Sequence, residues 1–144
     1  MRVRDIIRAK GTEVETVRGD SMMPVALHKL TTLNIGALVV SPDGALVDGV
    51  LAERDVVRGL ARHGSRLLEL QVRDVMTRGT PTCSPDDPVT KVMVDMTRSR
   101  NRHVPVVEDD RLCGLVSIGD VVKSRLDDLE LEAAVLRDNW IVRR

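Results

Sequence analysis

A duplication constrains this chain more than any other feature. VRDII at Val3 to Ile7 returns as VRDVM at Val72 to Met76, and the acidic helix start ERDVV at Glu53 to Val57 returns as IGDVV at Ile118 to Val122. The register holds between these marks: Thr16 and Thr82, Asp20 and Asp86, Leu30 and Met96, and Leu38 and Val104 are each 66 positions apart. The offset is 65 for Asp55 and Asp120 and 69 for Asp5 and Asp74, so loops absorbed the length changes. A repeated supersecondary unit that cannot cover its own apolar face is expected to bury it against its twin. Two related clefts follow.

Each unit reads βαββα. In the second, Pro81 to Cys83 is a short extended piece and SPDD at Ser84 to Asp87 caps a helix carrying Val89, Val92, Met93 and Met96 at helical spacing. HVPVV at His103 to Val107 is a buried strand, EDDR at Glu108 to Arg111 a turn, and Leu112 to Ser117 the returning strand, before a helix opens at Gly119 or Asp120. The first unit follows suit. Its helix has Met23, Ala26, Leu27 and Leu30, its strands run Ala37 to Val40 and Leu46 to Leu51 around PDG at Pro42 to Gly44, and its last helix ends near His63 with Gly64 as C-cap. The expected organisation is one unit over 1–64, a linker over 65–71, a second unit over 72–125 and a helical extension over 126–144.

Composition removes several function classes. With 144 residues, 42% hydrophobic and 31% charged, the chain can bury one core or two small fused ones. Formal net charge is zero, which gives no general attraction to nucleic acid phosphates. One Trp with no Phe or Tyr leaves no aromatic platform for stacking bases, so a planar ligand must be gripped by aliphatic side chains and backbone. No apolar run nears the roughly 18 residues that span a bilayer, and the N-terminus has no signal-peptide core, so a cytoplasmic protein without membrane insertion is expected. Cys83 and Cys113 lack a CxxC partner, which argues against zinc, redox chemistry and, in a reducing compartment, a disulfide.

The C-terminal segment follows another period. Val122, Leu126, Leu129, Ala133, Leu136 and Trp140 step by 4 and 3 residues alternately, with Asp127, Asp128, Glu130, Glu132 and Arg137 beside them. The seam is read as a homodimer helix. The other reading is that it folds back onto its own domain.

The duplicated βαββα unit, TVRGD at Thr16 to Asp20, TCSPDD at Thr82 to Asp87, the strands GALVV and RHVPVV, and the endings GVLAERD and GLVSIGD together resemble a tandem pair of CBS domains. This is the cystathionine-β-synthase-type regulatory module, also inserted in inosine monophosphate dehydrogenases. The resemblance runs from Val3 to about Lys123. It implies an α+β fold in which two repeats pack as a pseudo-twofold disc followed by a C-terminal helix. It also implies an adenine nucleotide in the clefts between repeats, AMP foremost with ADP, ATP or NAD(H) as alternatives, and a module that senses its ligand without transforming it. The pair is expected to stand without a fused effector domain, and these residues do not name the protein it would regulate.

In the second repeat the resemblance points to Thr82, Cys83, Arg102, His103, Val104, Pro105, Ser117, Ile118 and Asp120. Asp120 would accept ribose hydroxyls, the Ser117 hydroxyl and free amides at the helix start would face a phosphate with Arg102 and His103, and the backbone of Val104 and Pro105 would read the adenine edge. Asp120 has a second reading as a first-turn helix cap. The first repeat departs from the pattern. It offers Thr16, Val17, Gly36, Ala37, Leu38, Arg54 and Asp55, with Ala52 where Ser or Thr is usual, and with Gly36 and Ala37 where the second has Arg102 and His103. Its phosphate grip is expected to be weaker unless Arg54 or Arg102 of the other repeat reaches across, giving two unequal sites.

Catalysis has little support. His28, His63 and His103 sit in dissimilar contexts, no GxSxG, HExxH or phosphate-binding glycine loop is present, and Cys113 falls in an expected buried strand where thiols are inert. Two roles of different kind stand: a nucleotide sensor coupled to a partner, or a constitutive dimeric scaffold with vestigial clefts.

Overall fold

The structure, a computed structural model, describes residues 1–142. The first repeat runs α1 (Val3–Lys10), β1 (Thr16–Val17), α2 (Met23–Thr32), β2 (Ala37–Val40), β3 (Gly49–Ala52) and α3 (Glu53–His63). The second runs α4 (Val72–Val75), α5 (Val89–Ser99), β4 (His103–Glu108), β5 (Arg111–Ser117) and α6 (Ile118–Val142). The leading VRD of each repeat thus opens a short helix ahead of the expected βαββα order.

β1 lies parallel to β2, and β2 antiparallel to β3 with Leu38 opposite Leu51. β4 and β5 form the matching hairpin with Val104 opposite Val116. Val17 pairs with Val40 in the first sheet, and Cys83 makes the equivalent parallel bridge to Val106. The piece expected to be extended at Pro81 to Cys83 is reduced to that bridge. Asp109 and Asp110 both take left-handed backbone, φ 52° and 59°, the two-residue turn whose twist matches a tight hairpin. The first hairpin turns more widely. Ser41 Oγ accepts the Gly44 amide at 2.8 Å and the Asp43 carboxylate accepts the amides of Ala45 and Leu46, so β3 begins at Gly49 and not at Leu46.

The two halves exchange their leading helices. Val3, Ile6 and Ile7 of α1 lie in the core built by Val92, Met96, Val104 and Val116 of the second repeat. In return Val72 of α4 lies in the first repeat's core with Met23, Leu38 and Leu51. Backbone bonds repeat the exchange: the Val3 amide donates to the Asp87 carbonyl at 3.0 Å, and the Val72 amide to the Ser21 carbonyl at 2.8 Å. Neither core is complete without a helix from the other repeat, so the halves fold as one unit. The expected linker takes part as well: Gly64–Glu69 is a 3-10 turn, and Leu67 is fully buried in the first core.

α6 runs without a break from the second repeat into the C-terminal extension. It meets its own domain through Val121 and Ser124, both buried. The seam points elsewhere: Val122, Leu126, Leu129 and Leu136 are 50–69% exposed. The alternative in which the seam folds home is therefore not what the chain does.

Candidate functional site: a cavity between the repeats

Where β2 begins and β3 ends, Gly36 and Ala52 line one cavity with His103, at the start of β4 on the other hairpin. A Cβ on Gly36 would touch the His103 ring at 3.4 Å. Both hairpins hand over to their helices in one way. The Glu53 amide at the start of α3 donates to the Gly36 carbonyl at 3.2 Å, and the Ile118 amide at the start of α6 donates to the Arg102 carbonyl at 2.8 Å. Each helix then places a carboxylate three residues behind a strand end. Asp55 Oδ2 accepts the Ala52 amide at 2.8 Å, and Asp120 Oδ2 accepts the Ser117 amide at 2.9 Å. Ser117 Oγ completes a reciprocal cap by accepting the Asp120 amide at 3.2 Å. Ala52 has no side-chain acceptor and leaves that half of the cap unmade.

The halves differ in what else holds the carboxylate. Asp55 is buried, and its Oδ1 accepts the Thr77 hydroxyl at 2.6 Å. Thr77 in turn is an extra rung on β3, exchanging backbone hydrogen bonds with Val50 at 3.1 and 3.0 Å. In the second half the equivalent place is taken by Lys10, whose Nζ donates to the Leu115 carbonyl at 2.9 Å and to Asp120 Oδ2 at 2.7 Å. Burial pushes the Asp120 carboxyl up, but the Lys10 ammonium and the Ser117 amide outweigh it and hold the group below the usual carboxylate value.

A cavity of about 430 Å³ opens on the Asp55 side. Gly36, Val50, Ala52 and Asp55 of the first repeat line it, together with Thr77 and Thr80. Glu53, Arg54 and Arg58 of α3 also line it, as do Ser99, Arg100, Asn101, Arg102 and His103 of the second repeat. Four guanidinium groups against two carboxylates make the rim cationic, and the volume lies in the range of small-ligand sites. Arg100 caps α5 in left-handed backbone, φ 57°, a conformation disfavoured for a side chain of this kind. Burial, and after it the charge of Lys10, lowers the His103 pKa from its ordinary value, so the ring is neutral near pH 7.

Of the residues expected from sequence, the cavity brings together Gly36, Arg54, Asp55, Arg102 and His103. Both bridging arginines named as the first site's means of rescue are there. Ser117 and Asp120 do not line it and are engaged with each other and Lys10. Val17, Ala37, Leu38, Cys83 and Val104 are core residues, 5% exposed or less. Pro105 is buried and its carbonyl accepts the Cys83 amide at 3.0 Å, which takes up the backbone edge expected to meet adenine. Thr16 is half-buried in β1, while Thr82 and Ile118 are exposed away from the cavity. Burial drives the Cys83 thiol up to about 12, as inertness requires; Cys113 is half-buried and also raised by burial.

Sequence reasoning missed Arg58, Thr77, Thr80 and Arg100. Arg58 was findable, since it stands one helical turn beyond Arg54 on the same face of α3. The basic run SRNRH ahead of β4 was the signal for Arg100. Thr77 carried no signal, because its role comes from the exchange of leading helices.

Comparison with known proteins agrees with this architecture. The CBS domain family model matches twice, at residues 3–62 and 72–127. A crystal structure of a CBS-domain-containing protein from Agrobacterium tumefaciens superposes with a TM-score of 0.83 at 39% identity, covering 87% of this chain and 99% of that one. The CBS domain pair of protein MJ0100, solved in complex with 5′-methylthioadenosine and S-adenosyl-L-methionine, superposes with a TM-score of 0.76 at 26% identity over 90% of this chain and 98% of that one. A mitochondrial CBS domain-containing protein of Arabidopsis thaliana, CBSX3, is 33% identical over 85% of this chain, and the matched region spans 63% of that relative's length. Among the described residues no helix is long and apolar enough to cross a membrane. With two matched repeats, exchanged leading helices and a shared cavity, the chain belongs to the CBS domain family as a tandem pair.

Proposed function

We propose that this chain is a regulatory sensor that binds an adenine nucleotide in the cavity beside Asp55 and passes the signal to a partner protein. The observation that carries the reading is a buried carboxylate of the first repeat and a cationic rim drawn from both repeats, facing one cavity of nucleotide size. Asp55 has lone pairs left after meeting Ala52 and Thr77, and these accept the ribose hydroxyls. Arg54, Arg58 and Arg102 take the phosphate, with His103 beside them. AMP is the preferred ligand, with ADP, ATP and NAD(H) as larger candidates for the same rim. That MJ0100 holds two adenosine compounds supports the base and sugar, not the phosphate count.

The role is binding, not catalysis, in a cytoplasmic homodimer paired through the α6 seam, with neither nucleic acid nor membrane as partner. One observation favours the other reading, a constitutive scaffold: Lys10 already neutralises Asp120, so the second cleft carries its own counter-ion. A thermal-shift panel separates the two. A ligand that binds only the folded state at a hundredfold excess over Kd stabilises it by roughly 2.7 kcal/mol. AMP, ADP, ATP, NAD, NADH and S-adenosylmethionine are tested on ligand-free protein. A shift with at least one is expected; none with any would leave the scaffold.

A further inference from the structure

We infer that α6 pairs with the α6 of a second copy as a parallel, in-register two-stranded coiled coil. The inference rests on the homodimer proposed above and fixes its geometry. The seam assigns Val122, Leu129 and Leu136 to the d positions of a heptad and Leu126, Ala133 and Trp140 to the a positions. That face is separate from the one by which Val121 and Ser124 hold the helix to its own domain, so the chain can use both at once.

Charge decides the orientation. The e positions are Lys123, Glu130 and Arg137, and the g positions Arg125, Glu132 and Asn139. In a parallel pair each g residue meets the e residue five positions on in the other copy. Arg125 then faces Glu130, and Glu132 faces Arg137, both attractive and each made twice by symmetry. Running one helix the other way, with Leu126 opposite Leu136, sets Glu130 against Glu130, Glu132 against Glu132 and Lys123 against Arg137. Every charged meeting becomes repulsive. Arg125 also has an acid of its own chain nearby, Asp128 at 3.7 Å, so Glu132 and Arg137 carry the discrimination more cleanly.

Parallel pairing has a structural consequence. α6 follows β5 directly, so both domains sit at the same end of the coil and the two helix starts lie about 8–10 Å apart. A ligand that shifts one start displaces its neighbour.

Two measurements test this on the full chain. Light scattering is expected to give twice the 15.9 kDa chain mass. Leu136 is 69% exposed, so Leu136→Cys leaves the fold intact. In the parallel coil its two thiols are adjacent and form an interchain disulfide on mild oxidation, with the unsubstituted chain as control for Cys83 and Cys113. In the antiparallel coil they are roughly 15 Å apart, beyond reach. Arg137→Glu weakens the parallel dimer by about three- to tenfold, but strengthens the antiparallel one by relieving Lys123. A dimer that Leu136→Cys does not cross-link, or that Arg137→Glu tightens, overturns the orientation and leaves the pairing. A monomer overturns the pairing and leaves the nucleotide reading to its own test. A mass of four chains would hand Leu131 and Val135, both exposed, to a second interface and overturn the two-stranded coil.

Discussion

Lys10 Nζ stands 2.7 Å from Asp120 Oδ2, whereas the matching carboxylate of the first repeat, Asp55, receives the neutral Thr77 hydroxyl at 2.6 Å. The duplication therefore made two similar carboxylates and the exchange of leading helices gave them different neighbours. A cation sealed one, and a hydroxyl left the other facing a cavity.

The ion pair sets a pH signature. The Asp120 carboxyl is held below its 3.8 reference in the folded chain, so it stabilises the fold above that value and the contribution is lost as pH falls through the folded pKa. Lys10 is 45% and Asp120 23% exposed, so the pair is worth at most about 1 kcal/mol. Unfolding free energies from urea titrations of the wild type and Lys10→Met should differ by about that much at pH 7, and the gap should narrow as pH falls below 3.8. A gap that stays constant to pH 3 would show that the ammonium acts through Leu115 alone.

Gly49 couples stability to the site. A Cβ there would run into the Thr77 carbonyl, which is backbone and must give way. Gly49→Ala should cost roughly 1–3 kcal/mol. Because Thr77 would move off Asp55, nucleotide affinity should fall too. Denaturation and titration on one sample check both, and a loss of stability with unchanged affinity would detach Thr77 from the ligand.

Ile7 tests the helix exchange. It is 8% exposed in the second repeat's core and lies against Gly114, where a Cβ would approach its Cδ1 to 3.0 Å. Ile7→Ala should destabilise the whole chain by about 2–5 kcal/mol in a single transition. Two resolved transitions, with only one moved, would mean that the halves unfold separately.

Much of this was legible in the residues. The 66-residue register located both hairpins, and Asp109 with Asp110 turned where the acidic run said they would. The first return strand was set too early because Asp43 and Ser41 wrap their own loop, a local competition that apolar residues do not report. The site was harder. Asp55 and Asp120 look alike along the chain, and only the partner delivered by the opposite repeat, Thr77 or Lys10, tells them apart. Motif strength favoured Ser117 and Asp120, yet those two satisfy each other as a helix cap. The arginines of the cavity converge from α3 and from the loop before β4, a juxtaposition that exists only after folding.

Calorimetric titration of AMP into the ligand-free chain, alongside Asp55→Asn, Arg102→Ala and Asp120→Asn, tests the central claim most directly. The account predicts that Asp55→Asn and Arg102→Ala each weaken binding about ten- to a hundredfold, the weight of one charge-assisted hydrogen bond, while Asp120→Asn binds as the wild type does. Binding lost with Asp120→Asn and kept with Asp55→Asn would contradict it.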